Sequence, residues 1–316
     1  MKHCWLILLI NYSDGTAQSA KDYKLLEKGQ FEKLAISLQK SLQKESTNAG
    51  AKYMYSILFL TPAFQKYDID SAYLMIKAAI GDHSISDEKA KKKWDKMLVN
   101  EHTLDVQKRF VEDHAFHRAK SLHTLRDYNY FITSFTGAVQ TDSAVAFRNE
   151  IAFNNAVELN TYEAFQEFIS TYPDAIQIDE ARRRYEALLY VSRTGDNDLE
   201  SFVRFLRNNP DTPHRDDAER NIFEIYTASN DLDKYMTFIE QYPASKSRRK
   251  AVNLMYHTFK HYQSARQFAN KYVVLQDGDS LRRITEADEG ALFPIFEMDK
   301  YGFAELDGTK LIDFQY

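Results

Sequence analysis

Between residues 122 and 272 the apolar positions fall into one frame that repeats. Phe165 and Phe168-Ile169 stand three residues apart and lead into Tyr172-Pro173. The order returns as Phe202, Phe205-Leu206 and Asn209-Pro210, and again as Tyr235, Phe238-Ile239 and Tyr242-Pro243. Thr161, Asp198 or Asp231 lies four residues ahead of each leading aromatic, and Ala181, Ala218 or Ala251 lies eight residues past each proline. An earlier copy reads Thr124, Tyr128, Phe131-Ile132, Thr136 in the proline place, and Ala144. Successive starts are 37, 37 and 33 residues apart, and a fifth fits at Ser264 with Phe268.

Each column has a physical reading. Aromatics at i and i+3 with an aliphatic beside them form the apolar stripe of a short helix. Thr or Asp ahead of that stripe accepts from the free amides of the first turn and sets where the helix starts. Proline ends it, because its ring disfavours helical backbone in the preceding residue. The alanine sits in a second helix, where a small side chain lets two axes approach. Such a pair leaves its stripe bare until another pair stacks on it, so the units are expected to form an array. The stripe itself is expected to be core and not a ligand site.

Upstream, Phe31, Leu34, Ile36 and Leu38 mark one helix and Tyr53, Tyr55, Ile57, Leu58 and Leu60 another. Thr61-Pro62 and residues 65–70 break the pattern, which resumes from Ala72 to Ile80 and is expected to stop at Gly81. Residues 103–124 read as a longer connecting helix. The last stretch differs. Leu292–Phe296, Tyr301–Glu305 and Lys310–Phe314 are short runs, the last two separated by Asp307-Gly308, a strong hairpin signal because the turn needs positive φ. The expected organisation is therefore residues 1–19 as a leader, 20–100 as an N-terminal helical region, 101–276 as the helical repeats and 277–316 as a small β module.

The Tyr-Pro-to-alanine units resemble tetratricopeptide-like repeats of the kind found in bacterial envelope proteins, most closely in Phe168–Pro173 and Phe238–Pro243. The Trp and Leu-Gly columns of the standard repeat are missing and the period is irregular. The resemblance implies a mainly α fold, a right-handed α-solenoid of helix-turn-helix repeats that binds proteins and has no chemistry of its own. Ala51-Lys52-Tyr53 with Asp70-Ser71-Ala72 and Ala78-Ala79 faintly resembles a Sel1-type helical pair. Tyr301-Gly302-Phe303, Asp307-Gly308, Leu311-Ile312 and Tyr316 resemble part of a WG repeat, with Tyr301 at the usual Trp. That resemblance implies an antiparallel module of bacterial surface proteins, normally present in series, so the chain is expected to be part of a longer WG-repeat protein if it ends mid-module.

Composition narrows the function. Ten glycines and six prolines in 316 residues are too few for an all-β sandwich or barrel. The net charge of −5 gives no electrostatic footprint for nucleic acid. Lys2-His3, the apolar run Cys4–Ile10 and Ala17-Gln18-Ser19 read as an export signal. No run reaches membrane-spanning length. Cleavage after Ser19 removes Cys4, the one cysteine, which excludes disulfides and thiolate catalysis in the mature chain.

Candidate chemistry is sparse. His114 and His117 beside Glu112 and Asp113 have the spacing of a shared metal site, and an envelope hydrolase using His114, His117 and Glu112 is the alternative reading. His123 lies further along, and His257 and His261 have i, i+4 spacing. Asp196-Asn197-Asp198 with Glu200 is similar to a calcium loop but lacks its glycine and distal glutamate. Lys89, Lys91, Lys92, Lys93 and Lys96 make a basic run around Trp94, with smaller ones at Arg182–Arg184 and Lys246–Lys250. These are expected to be solvated helix faces, or contacts for an acidic partner. The expectation is a periplasmic or secreted, non-catalytic scaffold for a protein or peptide partner, with no cofactor, metal or catalytic residue.

Overall fold

The computed structural model describes residues 17–259, 261–265, 267–268, 293–297, 300–304 and 310–312. The expected leader lies outside them except for its last residues, which already belong to α1 (Ala17–Glu27). There follow α2 (Phe31–Lys44), α3 (Ala49–Phe59), α4 (Ile69–Ile85), α5 (Glu88–Asp95), α6 (Glu101–Leu122), α7 (Leu125–Ser134) and α8 (Thr141–Leu159). Then come α9 (Tyr162–Thr171), α10 (Ile178–Thr194), α11 (Leu199–Asn208), α12 (Arg215–Ala228), α13 (Leu232–Gln241) and α14 (Arg248–Phe259). The fold is mainly helical and repeat-like. Two compact units divide it, Met1–Asn160 with Glu167–Ala181 and Thr161–Gln166 with Arg182–Tyr316, the division passing through α9 and α10.

The four frames share one local geometry. Thr124, Thr161, Asp198 and Asp231 each cap the following helix, accepting from the amides of Asp127, Ala164, Glu200 and Asp233. The helices α7, α9, α11 and α13 are ten residues each. Such helices are about 15 Å long and marginal alone, so burial must hold them. Tyr128 and Phe131, Phe165 and Phe168, Phe202 and Phe205, and Tyr235 and Phe238 are all buried, and Ala144, Ala181, Ala218 and Ala251 are wholly so. A fully buried aromatic contributes about 1.5–3 kcal/mol, which offsets the ordering of only about one or two residues, so each helix needs its whole buried stripe.

A column that the hydrophobic pattern does not show sits just ahead of each cap. His123, Asn160, Asn197 and Asn230 all have left-handed backbone, with φ of 50°, 48°, 54° and 50°. One such residue followed by a cap reverses the chain between helices, and Asn tolerates this conformation better than most residues. His123 departs from the column and keeps its place through its ring, whose Nδ1 lies 3.0 Å from the Tyr128 hydroxyl. A second unread column is the small residue two places past the proline position: Ala138, Ala175, Thr212 and Ser245, all buried.

Proline does less than expected. Phe135, Asn209 and Tyr242 cap α7, α11 and α13 with the same backbone, φ −107° to −131°, although Thr136 and not proline follows Phe135. The cap amide donates to the carbonyl four residues back in every frame. Phe135, Tyr172 and Tyr242 also set their rings 5.2–5.5 Å from Phe131, Phe168 and Phe238. Packing therefore sets the bend and proline reinforces it. The fall in period has an equally local cause. The second helices α8, α10 and α12 run 19, 17 and 14 residues, and with the links to the next cap they make 20, 20 and 16, so the length changes there while the ten-residue helices stay constant. Ser264 lies inside a helical stretch and not at its cap, although Phe268 packs on the same core as Phe238.

In the first unit one hydrophobic core runs from Tyr23 to Ala144. Helix packing is mostly between neighbours in the chain, α1 on α2, α2 on α3, α3 on α4, α6 on α7 and α7 on α8, with α6 also meeting α3 and α4. One expectation needs correction. Helix α4 continues through Gly81 to Ile85, because Ala72, Ile76, Ala79 and His83 extend its buried stripe by one more turn and Gly81 sits on the open side. Ile36 is 53% exposed and does not belong to the inner face of α2, which is carried by Leu34 and Leu38. Arg118 on α6 pins α4 through two bonds to Asp70, at 3.0 and 3.3 Å.

In the second unit α11 packs on α12, α12 on α13 and α13 on α14 around Phe202, Phe205, Ile222, Phe238 and Met255. The backbone is extended at β1 (Phe293–Glu297), β2 (Lys300–Ala304) and β3 (Lys310–Ile312), paired antiparallel in the order β1-β2-β3. The links between these strands, Asp307-Gly308 included, lie outside the described residues. Among the described residues no helix is long and apolar enough to cross a membrane.

Two substitutions test this account. Asn160→Val should lower unfolding stability by about 1–2 kcal/mol while Asn160→Gly stays within about 0.5, since only the former pays the left-handed penalty; equal losses in urea titrations would remove the turn argument. Phe205→Ala should cost about 3–5 kcal/mol, and Val191→Ala at an exposed position about 0.5 or less. A Phe205→Ala chain that melts with the parent would mean the aromatic column is not core.

Candidate binding surface

Most side chains that could carry chemistry are used up in holding the fold. Glu112 is buried and pairs with Lys108 at 2.5 Å on its own helix. It also faces Tyr73, whose hydroxyl pKa is raised by burial and further by the Glu112 charge. His114 and His117 turn their Nδ1 atoms to the carbonyls of Phe110 and Asp113, both at 2.8 Å. The trio is thus not gathered around one point. Among the described residues no group of three His, Cys, Asp or Glu side chains is placed to hold a metal ion, His257 and His261 included.

The Asp196–Glu200 loop serves a helix start. Asp196 accepts from the Ser201 hydroxyl at 2.7 Å, which with the Asp198 amide holds its carboxyl below the usual range, and Asp198 caps α11. The smaller basic clusters serve the repeat frame. Lys246 pairs with Asp216 at 2.5 Å, Lys250 lies over the Phe223 ring, and Arg248 donates to the Pro243 carbonyl, as Arg215 does to Pro210. Arg183 and Arg184 are also partnered.

The lysine run of α5 is different. One face of this eight-residue helix is fixed: Trp94 is only 1% exposed, its ring centroid 5.8 Å from that of His83, with Ala90 and Met97 against the same core. Gly50 makes that seat possible, since a Cβ there would lie 3.3 Å from Met97 Cε and 3.7 Å from Trp94 Cδ1. The other face presents Lys89, Lys92, Lys93 and Lys96 side by side, at the i, i+3, i+4, i+7 spacing of a single helix face.

Beside it is a groove of about 520 Å³ between α1 and α2. Lys21 rims it from α1; Lys33, Lys40 and Lys44 rim it from α2; Leu25 and Ile36 give it apolar contact. Glu45 closes one end and meets Lys93 of α5 at 3.7 Å, so groove and α5 face join through that pair. Among the described residues Lys21, Lys40, Lys44, Lys89, Lys92 and Lys96 carry no ion pair, whereas Lys52, Lys108 and Lys246 each do. Residues 21–100 hold fourteen lysines against ten carboxylates, a net of +4, and no arginine, within a chain of net −5. A net positive charge is therefore concentrated in residues 21–100, where six of the described lysines on this surface carry no ion pair.

Sequence pattern finds the α5 half of this surface as a run and misses the groove. Lys21, Lys33, Lys40 and Lys44 are 12, 7 and 4 residues apart, which forms no cluster in the chain. The signal that could have found them is helical: positions 33, 40 and 44 share a face, and Ile36 falls on that face and not on the buried one.

No protein-family model and no curated protein matches the chain.

The seat of α5 makes its own prediction. Trp94→Ala should lower stability by about 3–5 kcal/mol and raise amide exchange in residues 88–95 well before residues 125–134. Uniform exchange across both segments would show that α5 is not a separately anchored element.

Proposed function

We propose that this chain is an exported, non-catalytic scaffold of the bacterial cell envelope, built on tetratricopeptide-like repeats, that binds a protein or peptide partner. The observation that carries the reading is the four-fold recurrence of one turn-and-cap geometry with wholly buried aromatic and alanine columns. A frame so uniform leaves side-chain freedom on the outer faces, where binding specificity can vary without disturbing the stack. A right-handed solenoid is the arrangement such pairs support. The engagement of Glu112, His114, His117, Asp196 and Asp198 with their own helices favours binding over hydrolysis. Export rests on the leader-like residues 1–19, and the strands after residue 292 fit a partial WG-like module.

Crosslinking capture in the host envelope, with the tagged chain as bait, tests this. Recovery of one discrete protein in about one-to-one amount, from a bait whose mature N-terminus lies just after Ser19, is the expected result. Stoichiometric zinc in the purified chain, lost on His117→Ala, would replace the scaffold with the hydrolase reading.

A further inference from the structure

The groove between α1 and α2 says more about the partner. We propose that it takes an extended acidic segment of a polypeptide, with an aliphatic side chain seated on Leu25 and Ile36 and carboxylates facing Lys21, Lys33, Lys40 and Lys44. The inference rests on the binding role proposed above and specifies its chemistry.

Charge and shape point the same way. From Lys33 to Lys44 is eleven residues of helix, about 16 Å, the length of about five residues of extended chain. Ile36 sits between Lys33 and Lys40, 53% exposed, where an isolated surface helix would carry a polar residue. A row of cations with an aliphatic seat among them matches carboxylates interspersed with an aliphatic. Lysine suits such a ligand, because its ammonium is a point charge on a flexible stem, able to follow carboxylates at unequal spacing, whereas planar bidentate recognition of phosphate favours arginine. This region has none.

Other polyanions fit less well. The groove lining holds no aromatic ring on which bases or sugars could stack. Its two inner hydroxyls are already turned inward, Ser37 to Asp22 at 2.8 Å and Ser41 to the Ser37 carbonyl at 3.1 Å, so they offer little to a glycan. A bilayer surface is flat and would meet the rim lysines without reaching Leu25, whereas a narrow chain enters. The exposed face of α5, joined through Glu45 and Lys93, extends the positive field and raises the encounter rate for such a segment.

Fluorescence anisotropy on the full chain provides the test. The probe is a labelled ten-residue glutamate-rich peptide with one central leucine; comparison ligands are a thymidine decamer and vesicles of phosphatidylglycerol and phosphatidylcholine. The peptide should bind one-to-one and saturably, and weaken about tenfold between roughly 50 and 500 mM salt. Lys33→Glu with Lys40→Glu should weaken it about tenfold or more, Lys33→Gln with Lys40→Gln by less, and Lys66→Glu not detectably. Replacing the leucine by glutamine should weaken it about threefold. Circular dichroism confirms that the variants fold, and the glutamine pair keeps the test usable if the reversal pair does not. Equal binding by parent and variants, no peptide binding, or tighter binding of decamer or vesicles overturns the inference. Envelope capture separates it from the scaffold reading. Capture that survives Lys33→Glu with Lys40→Glu sinks the groove and leaves the scaffold; peptide binding without any captured protein does the reverse.

Discussion

Four helices of ten residues, none able to persist alone in water, depend on one interaction: burial of the aromatic pair that each of them carries. The rest of the frame serves to make that contact repeat. Caps at Thr124, Thr161, Asp198 and Asp231 fix the register of the stripe, and a left-handed residue before each cap returns the chain for the next pass. The wholly buried alanines set how near the partner helix comes. A larger side chain at any of them would separate the helices and expose the rings.

Much of this was legible in the chain. The capping residues, both aromatic positions and the alanine are read directly, because each is a side-chain identity that physics demands at that place. The left-handed column was not, since Asn160, Asn197 and Asn230 are polar residues in a polar stretch and His123 breaks the identity. Backbone conformation leaves little trace in hydrophobic pattern. Gly81 misled for a related reason: the residue reads as a stop, yet the stripe through Ala79 and His83 outweighs the roughly 1 kcal/mol that glycine costs in mid-helix. Ile36, one of the apolar residues that mark α2 in the sequence, faces the lysine groove and not the core.

The surface was half legible. Charges adjacent in sequence announce themselves, as along α5; charges brought together by helical geometry and by a second helix do not. What distinguishes these lysines is that two helices gather them on one surface, which no sequence displays. The buried Glu112 makes the same point from inside. Beside two histidines it reads as a ligand, but among Lys108 and Tyr73 it is a buried charge with its countercharge four residues away.

The unequal second helices have a consequence for how such a chain can change over time. Because the turns and caps hold the frame, length is adjustable in the second helix together with its following link, and the one drop seen, from 37 to 33 residues, is about one helical turn. A four-residue deletion turns the following face by only about 40°, within the tolerance of a broad apolar stripe. Insertions and deletions that would wreck a sheet register are here a permitted mutation, provided they come in that unit. The repeat is thus invariant at its corners and elastic in its long arm, so related chains can diverge in period until alignment by spacing fails while their corners still correspond.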